Sequence, residues 1–151
     1  MTKTLSLALK LRLKRYDDQV VVDMLVESSA VAGWCLGLML LKEQLITALL
    51  IQPDSGKKSH TCRLEVLPSR QMRSQAILDS DTVRISLSIN NLEYILSFFL
   101  KYFRDGIADV DHIDLEADSP DGEDVITITL KVPDSIEPVS PGEARRRLGL
   151  H

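Results

Sequence analysis

Between Asp105 and Asp124 the chain carries nine carboxylates, Asp105, Asp109, Asp111, Asp114, Glu116, Asp118, Asp121, Glu123 and Asp124, and no lysine or arginine. Carboxylates at that density can hold a hard cation, orient a histidine for proton transfer, or dock a cationic partner. Alternation predicts a strand over Asp111 to Asp118, with Ile113, Leu115 and Ala117 on one face and His112, Asp114, Glu116 and Asp118 on the other. Like charges repeated along one strand repel, at a cost of roughly a few tenths of a kcal/mol per pair. A protein that tolerates the repulsion has a use for it, or has simply left that face in water.

The cation reading has least behind it. No twelve-residue calcium loop occurs, and a flat strand face does not wrap an ion, so no metal is expected. Proton transfer would rest on His112 alone, because His60 and His151 stand far from it in the chain. There is no phosphate-cradling glycine loop, no GxSxG elbow and no HExxH pair. Nothing therefore indicates an enzyme or a cofactor. What remains is a solvated sheet face or a docking surface made by Asp109, Asp111, Asp114, Glu116, Asp118, Asp121, Glu123 and Asp124, with Asp114, Glu116 and Asp118 at its centre.

The rest of the chain must position that row. Its 151 residues are 44% hydrophobic and 26% charged, the balance of a globular domain large enough to bury one core without metals or disulfides. Residues 1–132 are expected to form a single α+β domain. Pro133, Pro138 and Pro141 then mark residues 133–151 as an extended tail, whose Arg145, Arg146 and Arg147 read as solvated. No internal repeat or low-complexity segment is evident.

Leu5, Leu7, Leu9, Leu11 and Leu13 alternate with polar and small residues and predict a strand, turned at Asp17 and Asp18 into a second one carrying Val20, Val22, Met24 and Val26. Ala30 to Leu41 is apolar throughout, so periodicity leaves it undecided between buried strand and buried helix. LITALLIQ and HTCRLEVL read as two arms of a hairpin, SRQMRSQAILDSD as loop or a single helical turn, and TVRISLSI as a strand. Then comes the clearest helix, about 91–105, with Asn90 as cap, Glu93 completing a capping box and Gly106 as the left-handed stop. Its Leu92, Ile95, Leu96, Phe99 and Phe103 share a face that packs on the sheet. A last hairpin joins 111–118 to 125–132 through Asp121 and Gly122. The expected fold is thus a mainly antiparallel sheet of hairpins with this one helix packed on it.

Charge is lopsided: residues 1–75 are net +4 and residues 76–151 net −8. The stripe Lys10, Arg12 and Lys14 is too small to draw nucleic acid against that acidic half, and is expected to pair with acids inside the fold or on a second subunit. The uncharged run Ser28 to Leu41 is 14 residues, short of the roughly 18 to 20 that span a bilayer, so no membrane is expected. The opening residues are interrupted by Lys10, Arg12, Lys14 and Arg15 and do not read as a signal peptide. Cys35 and Cys62 sit in apolar stretches and read as buried, reduced thiols, and the expected compartment is cytoplasmic.

These features fit a small acidic binding module that neutralises or escorts a basic protein. Its most concrete form is a bacterial immunity-type inhibitor that covers the phosphate-binding cleft of a nuclease-type toxin. Two alternatives come from other classes. One is a ligand-binding or hydrolytic protein with a pocket between the aromatic helix and the sheet, His112 serving as acid or base. The other is a structural subunit that buries Ala30 to Leu41 and the helix against copies of itself, as a homodimer would.

Overall fold

The computed structural model describes residues 2–7, 9–17, 19–53, 60–69, 72–106, 110–122 and 124–133. Asp109, Glu123 and the tail beyond Pro133, with its arginines, lie outside them. Among the described residues nine strands and two α-helices follow in the order β1 (Thr2–Leu7), β2 (Leu9–Arg15), β3 (Val20–Val26), α1 (Val31–Lys42), β4 (Ala48–Pro53), β5 (Thr61–Val66), β6 (Gln75–Leu78), β7 (Thr82–Leu87), α2 (Ile89–Asp105), β8 (His112–Asp118) and β9 (Val125–Lys131). A single 3-10 turn, Ser28–Ala30, leads into α1.

The strands form one sheet in the order β1-β4-β5-β7-β6-β8-β9-β3-β2. Its two outermost positions, β1 and β2, are stretches of one run of chain separated only by residue 8. The sheet therefore curls back on itself. Sequence reading expected mainly antiparallel pairing, but the sheet is mixed: β1 with β4, β3 with β9, β5 with β7 and β6 with β8 run parallel. The expected hairpins all exist. They are joined to one another in parallel, which alternation within a strand cannot reveal.

That joining exposes a repeat of architecture that the residues do not show. Hairpin β2–β3, helix α1 and hairpin β4–β5 are followed by hairpin β6–β7, helix α2 and hairpin β8–β9. The two units meet along the parallel pairs β5·β7 and β3·β9. β3 and β7 run in the same sense, so α1 and α2 leave the sheet at one end and pack on each other there, with Trp34 and Phe99 rings 5.2 Å apart.

The inward side chains form one connected core. Leu49, Leu64, Ile85 and Ala76 lie in one cross-strand row, and Met24, Leu130 and Ile113 in another, all buried. Both helices close over it, and Trp34, Leu38, Leu92 and Phe99 are each at most 1% exposed. The outward face of the sheet carries the polar partners of the same alternation, and no helix among the described residues covers it.

One open reading is decided and two local expectations need correction. Ala30 to Leu41 is mostly helix, and the deciding signal is composition: after Val31 no residue is β-branched, and Leu and Met lose little rotamer freedom in a helix. The helix end was hidden because Gln44, not glycine, takes the left-handed position (φ 59°), with Leu45 N–H donating to Leu40 O at 2.9 Å and Gln44 N–H to Leu41 O at 3.1 Å. In α2 the cap is Ser88 rather than Asn90: the Ser88 hydroxyl accepts from Asn91 N–H at 3.1 Å, so the helix begins at Ile89. Gly106 ends it as expected, at φ 71°. Finally, Gln75–Leu78, within the stretch read as loop, is a short strand whose polar flanks masked its alternation.

Cys35 and Cys62 are free and buried, and burial pushes the Cys62 thiol up to about 12. Thiolate is the reactive form, so neither residue should be alkylated by iodoacetamide at pH 8 in the folded protein, while both react in denaturant. Rapid labelling of Cys62 before unfolding would show this part of the core to be open.

Candidate functional site

Strand β8 is paired over its full length with β9, and the register sets Asp114 beside Thr129, Glu116 beside Thr127, His112 beside Lys131 and Asp118 beside Val125. Ile113, Leu115 and Ala117 point into the core. His112, Asp114 and Glu116 are exposed, and Asp118 half-buried, on the uncovered face. The row that alternation predicted is therefore real. Residues two apart on a strand stand about 6.8 Å apart, so its four titratable side chains extend over roughly 20 Å.

The row is not a bare line of charge. Thr129 donates its hydroxyl to Asp114 at 2.7 Å. His112 lies between two carboxylates, Nδ1 at 2.6 Å from Asp111 Oδ1 and Nε2 at 3.7 Å from Asp114 Oδ2. Hydrogen bonding to His112 holds the Asp111 carboxyl below the usual carboxylate range. Arg73 reaches Asp118, Nε to Oδ2 at 3.3 Å. Glu116, at the centre, has no side-chain partner among the described residues. Repulsion along the strand is thus relieved at its ends, with one carboxylate left wholly available.

At the far end of β8 the turn Ser119–Asp124 adds Asp121 and Asp124. Gly122 supplies the positive φ of 73° that the turn requires, its N–H donating to Ser119 O at 2.9 Å. The Ser119 hydroxyl donates to Asp121 and accepts from Asp124 N–H, which fixes both residues beside the row. Of the eight residues expected to form the docking surface, Asp111, Asp114, Glu116, Asp118, Asp121 and Asp124 are brought together, and Asp109 and Glu123 lie outside the described residues.

The basic stripe of β2 shares this outward face three strands away. Lys14 pairs with Asp23 at 3.5 Å, and Lys131 of β9 approaches the same carboxylate at 3.8 Å. For Lys14, the acid that pairs with the stripe is thus inside the fold. On the other half of the sheet Arg63 and Arg84 grip Glu65, at 2.6 and 3.4 Å, and keep its carboxyl below the usual range.

Sequence reading did not foresee Arg73, Thr129 or a polar recess beside β8. Ser74, 2% exposed, takes Ser88 N–H at 2.8 Å and Asn91 Nδ2 at 2.7 Å on its hydroxyl. Together with Met72, Arg73, Asn90 and Glu116 these residues line a depression of roughly 300 Å³. They come from segments separated in the chain, and no spacing rule connects them.

The two phenylalanines of the pocket reading stand apart. Phe99 is fully buried against Trp34 and Phe98, whereas Phe103 is 63% exposed, so the two do not line one apolar chamber. Among the described residues no three His, Cys, Asp or Glu side chains are grouped to hold a metal, and no helix is long and apolar enough to cross a membrane. No protein-family model matches the chain, and no curated protein shows significant similarity to it.

Proposed function

We propose that this chain is a binding module that holds a basic partner protein through the carboxylates on the outward face of β8. The observation that carries the reading is the row itself: Asp114, Glu116 and Asp118 stand in line on a sheet face that no helix of the described residues covers, flanked by Asp111, Asp121 and Asp124. Arginine forks match such carboxylates bidentately, and the row's field would speed encounter with a cationic surface. Glu116, without a side-chain partner among the described residues, can meet a partner's guanidinium without first breaking any bond seen there. Asp118 would exchange Arg73 for a stronger cation.

A toxin whose cleft holds phosphates is the most concrete partner of this kind, and binding there would neutralise it. The reading predicts that the tagged chain, incubated with lysate of its source cells, retains a stoichiometric basic protein in low salt and releases it in high salt, because exposed charge pairs are screened within about 10 Å at 0.1 M. Retention of an acidic protein, or binding indifferent to salt, would contradict it.

A further inference from the structure

Among the described residues the carboxylate strand is also incompletely paired on one side. Backbone groups alternate sides along a strand. Asp118 N–H donates to Ser74 O at 2.9 Å on the side away from β9, while Asp111 O accepts from Val132 N–H at 3.3 Å on the side toward it. His112, Asp114 and Glu116 therefore direct their N–H and C=O groups away from β9. On that side β6 pairs with β8 only at Gln75 and Asp118. No backbone hydrogen bond among the described residues reaches the other three.

The architectural repeat shows what such a position can hold. β4 is the counterpart of β8 in the first unit, and its corresponding edge is filled along its whole length by β1, in parallel, from Thr2 beside Ala48 to Leu7 beside Pro53. Beside β8 no strand among the described residues takes the equivalent place beyond the Gln75 and Asp118 pair, and a recess lined by Met72, Arg73, Ser74, Ser88, Asn91 and Glu116 lies there. Unpaired strand edges are templates for an added strand, and natural sheets usually block them.

We infer that β8 binds its partner by strand addition: an extended basic segment of the partner lies parallel to β8 and takes the place that β1 takes beside β4. This rests on the docking reading above and specifies its mode. Backbone bonds to His112, Asp114 and Glu116 supply register. The segment's outward side chains lie beside Asp114 and Glu116 and should be Lys or Arg, while its inward ones lie beside Ile113 and Leu115 and should be small or apolar. Charge complementarity selects a partner's strand rich in lysine or arginine over β1 of a second copy, which carries the single cation Lys3 and is already paired with β4.

The test uses the full ¹⁵N-labelled chain and a heptapeptide of alternating lysine and valine, compared with the same peptide N-methylated at every second residue. The inference predicts that saturating peptide slows exchange of the His112, Asp114 and Glu116 amides about tenfold or more, and that the N-methylated peptide, of equal charge, does not. If both peptides bind and the three amides exchange as before, contact is by side-chain charge alone: strand addition is wrong and the docking reading survives. If the amides are already protected without peptide, the chain itself fills the edge, in cis when protection is independent of concentration and through a second copy when dilution removes it, and the inference fails. If neither peptide binds, it fails as well, and the salt-dependent capture decides separately whether the docking reading falls with it.

Discussion

Replacing Asp114, Glu116 and Asp118 together by serine is expected to slow association with the captured partner about tenfold or more and to flatten its dependence on salt. The effect is large because the three residues supply the centre of the row, and removing them leaves carboxylates only at its ends. The fold should survive. All three side chains lie on the uncovered face, and exposed substitutions usually change stability by no more than about 0.5 kcal/mol. The losses are the Thr129, His112 and Arg73 contacts. The gain is relief of repulsion along β8. Stopped-flow association rates at two ionic strengths, with circular dichroism as control, measure both sides of the expectation. An unchanged rate would remove β8 from the interface.

Phe99→Ala should destabilise the protein by about 3–5 kcal/mol, the usual cost of emptying a fully buried phenylalanine site. Phe99 is 0% exposed and touches Trp34 across the helix pair, so its loss opens the contact through which α1 and α2 close over the sheet. Against a typical total of about 5–15 kcal/mol, that is enough to bring a domain near its unfolding threshold. Phe103→Ala, four residues later on the same helix, should change stability by no more than about 0.5 kcal/mol, because that ring is 63% exposed. Urea denaturation of the two variants gives the comparison. Equal losses would mean that the end of α2 is buried as helical spacing alone suggests.

Phe103 illustrates which parts of the fold were legible. Spacing identifies the face of a helix, but not how far the sheet beneath it reaches, so Phe103 read as core with Phe99. Strands wet on one side and dry on the other, such as β2, β7, β8 and β9, announce themselves because burial writes a period of two. β6 has four residues, too few to register that period between polar neighbours. In α1 the apolar run carries no period at all, and only the absence of β-branched residues after Val31 favours helix. Asn90 and Ser88 are both good cap residues, and the choice between them depends on Ser74, which binds Ser88 N–H from another strand.

The candidate site divides in the same way. The carboxylates could be read from the chain because they are local and their faces follow from alternation. Arg73 and Thr129, which temper the row, come from elsewhere in the chain, and their meeting with β8 is a property of strand order. The unpaired edge is also such a property. It becomes visible only once β4 and β8 are seen to be counterparts, one with a parallel neighbour along its length and the other, among the described residues, with one only at Asp118.

Carboxyl footprinting tests the central claim most directly. The chain, alone and in complex with its captured partner, would be labelled with a carbodiimide and glycine ethyl ester, and modification at each Asp and Glu read by mass spectrometry. The account predicts that Asp114, Glu116 and Asp118 lose labelling in the complex while Asp79 and Asp81, at the turn between β6 and β7, keep theirs. Undiminished labelling along β8, with protection elsewhere on the chain, would contradict it.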